Sequence, residues 1–161
     1  MGIHPVVVHF PIALLLTSVL SDLLSTFRVE TFFRKVGLYL LILGVIGAAA
    51  AGVSGEQARE GLAAGPGLPL AIDRHASYAT GTIWTFIGLL LCRVYLLIKG
   101  RFISGYRTMY LLASLLAAGL LIMTSYTGGE LVFKYGAGVE PARAKSVSTT
   151  RDTAEVHLPN R

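Results

Sequence analysis

The chain carries four long apolar runs separated by short polar segments. The runs cover roughly Pro5–Ser21, Val36–Val53, Ala76–Ile98 and Met109–Tyr126. Each has the length that a helix needs to cross roughly 30 Å of hydrocarbon at about 1.5 Å per residue. The pattern therefore predicts an all-α integral membrane protein, a four-helix bundle. We assign the transmembrane domain to residues 1–139 and a polar tail to residues 140–161.

Composition supports the membrane class. Hydrophobic residues make up 53% of the chain and charged residues 14%, whereas about a quarter of the residues in soluble domains are charged. We interpret the net charge of +5 as a topology signal and as contact with the lipid bilayer, and we expect no binding to nucleic acid. The single cysteine, Cys92, lies inside an apolar run, so it provides neither an internal disulfide nor a CxxCH site for covalent haem.

The basic residues of the loops predict the orientation. One side carries most of them, namely Arg28, Arg34, Lys35, Lys99, Arg101 and Arg107, and the loop on the other side carries Arg59 and Arg74. Arg93, near the end of the third run, is expected to snorkel to the more basic side. Because basic loops stay in the cytoplasm, both termini are predicted on the periplasmic side of a bacterial inner membrane.

Three histidines lie in or beside the apolar runs. His4 and His9 belong to the first run, His75 precedes the third, and the predicted topology places all three at the outer face. An ionisable side chain in such a place is a candidate functional residue by default. His4 and His9 are about 140° apart around a helix, so they do not share a face. We expect His9 to face His75 across the bundle.

The opening of the chain resembles a known family. His4 to Leu14 reads HPVVVHFPIAL, which is similar to the HPxxVHFPIAL opening of a bacterial four-helix membrane family of unknown function. The later His75-Ala76 and the segment from Gly128 to Val139 resemble two further motifs of that family, with Phe133 where Tyr is common. The resemblance covers roughly residues 4–139. It implies a four-helix membrane domain, sometimes fused to or encoded beside redox proteins, and it implies no function.

The first hypothesis for the histidines is a b-type haem. Histidines on facing membrane helices hold such haems, and the axial ligands set the reduction potential. His9 and His75 would be the iron ligands, with His4 near the propionates or as a substitute ligand. Three basic residues at the outer surface would neutralise the propionates: Arg59, Arg74 and Lys134. The protein would then be an electron-transfer subunit between a redox partner and the quinone pool, more than a catalyst by itself.

Two alternatives compete with the haem hypothesis. Three histidines together with Glu56, Glu60 or Glu130 would offer ligands to zinc or copper, although the spacing matches no metal motif. In the other alternative the protein is a cofactor-free membrane anchor or scaffold, and the histidines are hydrogen-bonding links between helices.

Two further features bear on these alternatives. Small residues recur on one face of the second helix, and they allow either close helix packing or room for a flat macrocycle: Gly44, Ala48, Ala51 and Gly55. The tail over residues 140–161 has few apolar residues and cannot bury enough surface to order itself. We expect it to lie along another protein subunit, with Val147, Val156 and Leu158 as anchors.

The topology is testable with single cysteine probes. A probe at Ser146 should react with a membrane-impermeant thiol reagent added from the periplasm, and a probe at Ser104 should not, because the loop before Ser104 carries two basic residues. Labelling at Ser104 without labelling at Ser146 would contradict the predicted orientation.

Overall fold

Four helices make up the fold. The computed structural model describes residues 4–27, 31–60, 66–102 and 104–137. The helices are α1 (His4–Phe27), α2 (Thr31–Glu60), α3 (Leu68–Ile98) and α4 (Ser104–Tyr135). All four are long and apolar enough to cross a membrane, and each contains one of the predicted runs. The all-α four-helix membrane architecture is confirmed, while the orientation stays a prediction and the tail lies outside the described residues.

The helices extend beyond the apolar runs. α4 continues to Tyr135 through Gly128 and Gly129, nine residues beyond the end of the fourth apolar run at Tyr126. Within this last part of the helix Glu130 pairs with Lys134 one turn later, a spacing that supports the helix. α4 ends at Gly136, which adopts a φ of 65° and donates its N–H to the Val132 carbonyl at 3.0 Å, as left-handed glycines at helix ends do.

α3 begins earlier than expected. Gly67, with a φ of 77°, precedes the helix, and a proline stands in its first turn, where its missing N–H costs no helical bond. His75 therefore lies two turns inside α3 rather than at its start.

The helices follow one another around the bundle. α1 and α2 pack closely as one hairpin, α3 and α4 form a second, and the hairpins meet through α2 with α3 and α1 with α4, so that α1 and α3 are diagonal. Small residues of α2 allow the close approach to α1. A Cβ atom at Gly44 would lie 2.6 Å from Leu15 Cδ2, and one at Gly47 would lie 3.3 Å from Pro11 Cβ. These two glycines therefore serve helix packing.

The two hairpins share one register. The offset of 71 residues that takes His4 to His75 also relates buried positions of α1 and α3: Pro11 and Thr82, Leu15 and Phe86, Ser18 and Leu89, Ser25 and Leu96. An offset of 73 residues relates buried positions of α2 and α4: Gly37 and Tyr110, Leu41 and Ser114, Gly44 and Ala117, Ala48 and Leu121. This is the pattern of a parallel internal repeat about an axis along the membrane normal.

An ion pair joins the diagonal helices. Arg93 of α3 is 1% exposed, and its Nη1 lies 2.5 Å from Oδ2 of the buried Asp22 of α1. Its Nη2 donates to the Arg34 carbonyl oxygen of α2 at 2.7 Å, and its guanidinium lies 5.5 Å from the Tyr110 ring of α4. The expectation that Arg93 snorkels to the surface is wrong, because Asp22 supplies a counter-ion inside the bundle. Asp22 and Arg93 are themselves related by the 71-residue offset.

Removing one partner of this ion pair should destabilise the bundle strongly. We expect Asp22→Asn to cost about 3–5 kcal/mol of unfolding free energy, because it leaves the Arg93 charge buried without a counter-ion. The double variant Asp22→Leu with Arg93→Met should recover most of that loss. Detergent-titrated unfolding in mixed micelles gives the measurement.

Asp73→Asn is the matched control. It breaks the ion pair between Asp73 and Arg59. The side chain of Arg59 is 46% exposed and that of Asp73 is 60% exposed, and such exposed pairs contribute at most about 1 kcal/mol. Equal effects of the two Asp→Asn changes would contradict the structural role of the buried pair.

Candidate functional site

His4 is anchored to the neighbouring helix through one ring nitrogen. Its Nδ1 lies 2.9 Å from Ser54 Oγ of α2, and Ser54 Oγ donates to the Ala51 carbonyl oxygen at 3.0 Å. A hydroxyl has one hydrogen, so Ser54 accepts the bond from His4. The ring also interacts with the Ala51 carbonyl, which can only accept. The bond to Ser54 therefore assigns the hydrogen to Nδ1.

His75 repeats this arrangement in the second hairpin. Its Nδ1 lies 3.1 Å from Thr127 Oγ1 of α4, and Thr127 Oγ1 donates to the Thr124 carbonyl oxygen at 3.0 Å. The ring also interacts with the Thr124 carbonyl. His75 is therefore an Nδ1–H donor as well, and its neutral ring presents an Nε2 lone pair, as the ring of His4 does.

A glycine follows each anchoring hydroxyl. A Cβ atom at Gly55 would lie 3.0 Å from His4 Cε1, and a Cβ atom at Gly128 would lie 3.0 Å from His75 Cε1. The two imidazoles therefore lie close against glycine positions on α2 and α4. A Cβ atom at either position would require the ring to shift by a few tenths of an ångström.

The two anchored rings lie at the same end of the bundle. His4 and His75 interact electrostatically although they stand on diagonal helices. His9 is exposed on α1, about 140° around the helix from His4. The structure thus places two hydrogen-bonded histidines, His4 and His75, at the same end of the bundle, while the pairing of His9 with His75 stays a prediction.

The signal for the two anchored histidines was present in the sequence. Each anchored histidine is followed, 50 or 52 residues later, by a hydroxyl residue and a glycine: Ser54-Gly55 after His4 and Thr127-Gly128 after His75. The motif at the end of the fourth run therefore serves His75 directly. Recognising the repeat would have identified both histidines and both of their partners.

The environment of His4 favours its neutral form. Burial lowers the pKa of His4 below its usual value, and the hydrogen bond to the Ala51 carbonyl opposes that shift without cancelling it. A neutral ring with Nδ1–H directed at protein acceptors is the arrangement found in histidines that bind metals through Nε2.

The three predicted propionate-neutralising residues all form ion pairs. Arg59 Nη2 lies 2.7 Å from Asp73 Oδ1. Arg74 pairs with Glu130, and Lys134 Nζ contacts the other oxygen of Glu130 at 3.2 Å. Their side chains are 46% to 63% exposed, at the same end of the bundle as the histidines.

A purely protein-built metal site lacks a third ligand in the described part of the chain. Over residues 4–27, 31–60, 66–102 and 104–137, no group of three or more His, Cys, Asp or Glu side chains could hold a metal ion. Glu56 is exposed and Glu130 forms the ion pairs above. The side chain of Glu60 and all of His157 lie outside the described residues.

The model of a family described as a predicted membrane protein, DUF2231, matches residues 1–141. No curated protein matches the chain, and no solved structure does.

The lowered pKa of His4 predicts a pH dependence of stability. A folded-state pKa below the unfolded value of about 6.5 means that the unfolded chain binds the proton more readily. The stabilisation is complete above the unfolded pKa and is lost as the pH falls through the folded pKa. The thermal midpoint of the ligand-free protein should therefore fall on acidification below about pH 6.5, and His4→Asn should reduce that fall. His157→Asn serves as the control, and an unchanged pH dependence in His4→Asn would contradict the assignment.

Proposed function

The chain belongs to the DUF2231 family of predicted membrane proteins, and we propose that it is a membrane subunit that holds a b-type haem between His4 and His75 and transfers electrons. One observation carries the proposal. Two imidazoles at equivalent positions of the two hairpins interact electrostatically, each fixed through Nδ1 and each with Nε2 available as a ligand atom.

The donor set fits a haem better than it fits a bare metal ion. Two imidazoles from different helices are a sufficient protein contribution for a six-coordinate haem iron, whereas zinc and copper sites take three or four protein ligands. The bonds from Nδ1 to Ser54 and Thr127 fix the ring orientations and raise the basicity of Nε2. When bound, such a haem supplies one-electron transfer.

The basic residues at this end suit the haem carboxylates. Arg74 and Lys134 share the single carboxylate of Glu130, so each retains N–H donors for a propionate. Arg59, on α2, occupies the same end of the bundle. Their exposure places them where the polar edge of a haem would reach water.

The partners follow from this position. A haem at the outer end of a bilayer-embedded bundle would accept electrons from a redox protein at the surface and exchange them with quinone in the membrane. The tail over residues 140–161 is our proposed docking element for that redox subunit, and the bacterial inner membrane is the proposed location.

A cofactor-free anchor is the second candidate, and the same hydrogen bonds favour it. Each histidine links the two helices of its own hairpin, His4 to Ser54 and His75 to Thr127. Polar side chains between membrane helices contribute on the order of 1 kcal/mol as such links. A scaffold protein requires only this stabilisation from the two histidines.

Absorption spectra separate the two candidates. The protein, expressed with haem supply and purified in mild detergent, should show a low-spin b-type spectrum that sharpens on reduction with dithionite. His4→Ala and His75→Ala should each abolish or convert that spectrum, since each removes one axial ligand. His9→Ala and His157→Ala are the matched controls and should leave it unchanged.

A wild-type protein without a haem spectrum, but with normal thermal stability, would overturn the haem proposal in favour of the anchor. Loss of the spectrum in His9→Ala but not in His4→Ala would instead restore the original pairing of His9 with His75. Circular dichroism of each variant shows that the helices are intact.

A further inference from the structure

A second polar cluster lies at the opposite end of the bundle from the histidines. Asp22 interacts electrostatically with Arg93, Arg107 and Arg34, which stand on α3, α4 and α2. Arg93 is buried, and Arg34 and Arg107 are half-buried. The cluster takes no part in the proposed haem site.

The cluster has a surplus of positive charge. An arginine stays protonated in proteins, so the cluster carries three positive charges, and Asp22 is the carboxylate that interacts with all three. Charges removed from water are costly unless they are paired. One or two further negative charges would therefore neutralise the cluster and stabilise it.

Arg34 and Arg107 occupy equivalent places. Each is the fourth residue of its helix, α2 or α4, and 73 residues separate them. Neither helix has an acidic residue in its first turn. A cation near a helix N-terminus opposes the helix dipole, whereas an anion there is stabilised. Two helix N-termini with two arginines therefore add to the positive potential of this end.

The arginines also retain hydrogen-bond donors. Arg93 Nε is buried and has no hydrogen-bond partner among the described residues. The Arg34 guanidinium stacks over the Phe102 ring at 5.2 Å, and Arg107 directs Nη2 to the Ser25 carbonyl and hydroxyl. A buried N–H without an acceptor is costly, so the protein's own acceptors satisfy the donors of this cluster incompletely.

We propose that this end binds the phosphate group of an anionic phospholipid, with Arg34 and Arg107 as its main ligands. The depth favours a lipid, because Asp22 and Arg93 each lie five residues before the ends of their spans, about 7.5 Å from the helix termini.

Native mass spectrometry of the full chain in detergent tests the proposal. With phosphatidylglycerol added, one bound lipid per chain is expected, and phosphatidylcholine should bind at least several-fold more weakly. Each basic residue near an anionic lipid contributes about a fivefold change in binding. Arg34→Gln with Arg107→Gln should therefore weaken phosphatidylglycerol binding roughly 25-fold.

Lys99→Gln with Arg101→Gln is the matched control. It removes the same charge from exposed positions on the same side of the bundle and should change binding less than about threefold, because separated exposed charges are screened. Equal losses in the two double variants would overturn the proposal, because binding would then depend on overall charge. Displacement of the lipid by millimolar inorganic phosphate would also overturn it in favour of a free-anion site.

Glu30 precedes α2 in the sequence and lies outside the described residues, so Glu30→Gln completes the set. Unchanged lipid binding in this variant supports the proposal. Lipid binding that appears only in Glu30→Gln would show that the protein neutralises the cluster with its own carboxylate. If the arginine double variant does not fold by circular dichroism, Arg34→Gln alone gives the measurement, with an expected loss of about fivefold.

Discussion

The contact between Asp22 and Arg93 is the constraint on which the arrangement of the bundle depends. It joins the two diagonal helices, which otherwise make no close backbone contact among the described residues, and Arg93 reaches α2 and α4 as well. The free-energy cost of removing both charges from water cancels much of the Coulomb attraction between them. The pair therefore contributes most by fixing the register, because any sliding or rotation of one hairpin leaves a buried charge unpaired.

That register extends to the other end of the molecule. Asp22 follows His4 by 18 residues, and Arg93 follows His75 by the same number. At 3.6 residues per turn, 18 residues are five turns, so each charged residue lies on the same helix face as its histidine, about 27 Å away. A rotation of α1 that brings Asp22 to the axis therefore brings His4 there too. His9 differs from His4 by about 140° and is turned outward.

The number, type and approximate positions of the helices could be predicted from the sequence, because apolar runs of this length have one stable form in a bilayer. Which of His4 and His9 faces into the bundle could not be predicted, because it depends on the rotation of α1 about its own axis. That rotation is set by Pro11 and Leu15 packing on the glycines of α2, a contact between residues more than 25 positions apart.

The repeat could not be recognised in the sequence because equivalent positions differ in residue type. Equivalent positions are buried in both hairpins but carry chemically different residues, as Gly37 and Tyr110 do. Gly37 leaves room for the Asp22 carboxylate, since a Cβ there would lie 2.6 Å from Oδ1, while Tyr110 covers the Arg93 guanidinium. The two halves are complementary at these positions.

The unlike charges of Asp22 and Arg93 also have a consequence for assembly. In a symmetric dimer of one hairpin, equivalent residues would face each other across the axis, so an aspartate would meet an aspartate and an arginine an arginine. In the chain, Asp22 of one hairpin faces Arg93 of the other, and attraction takes the place of that repulsion. Each hairpin therefore finds its counter-charge in the other hairpin of the same chain and not in a second copy of itself.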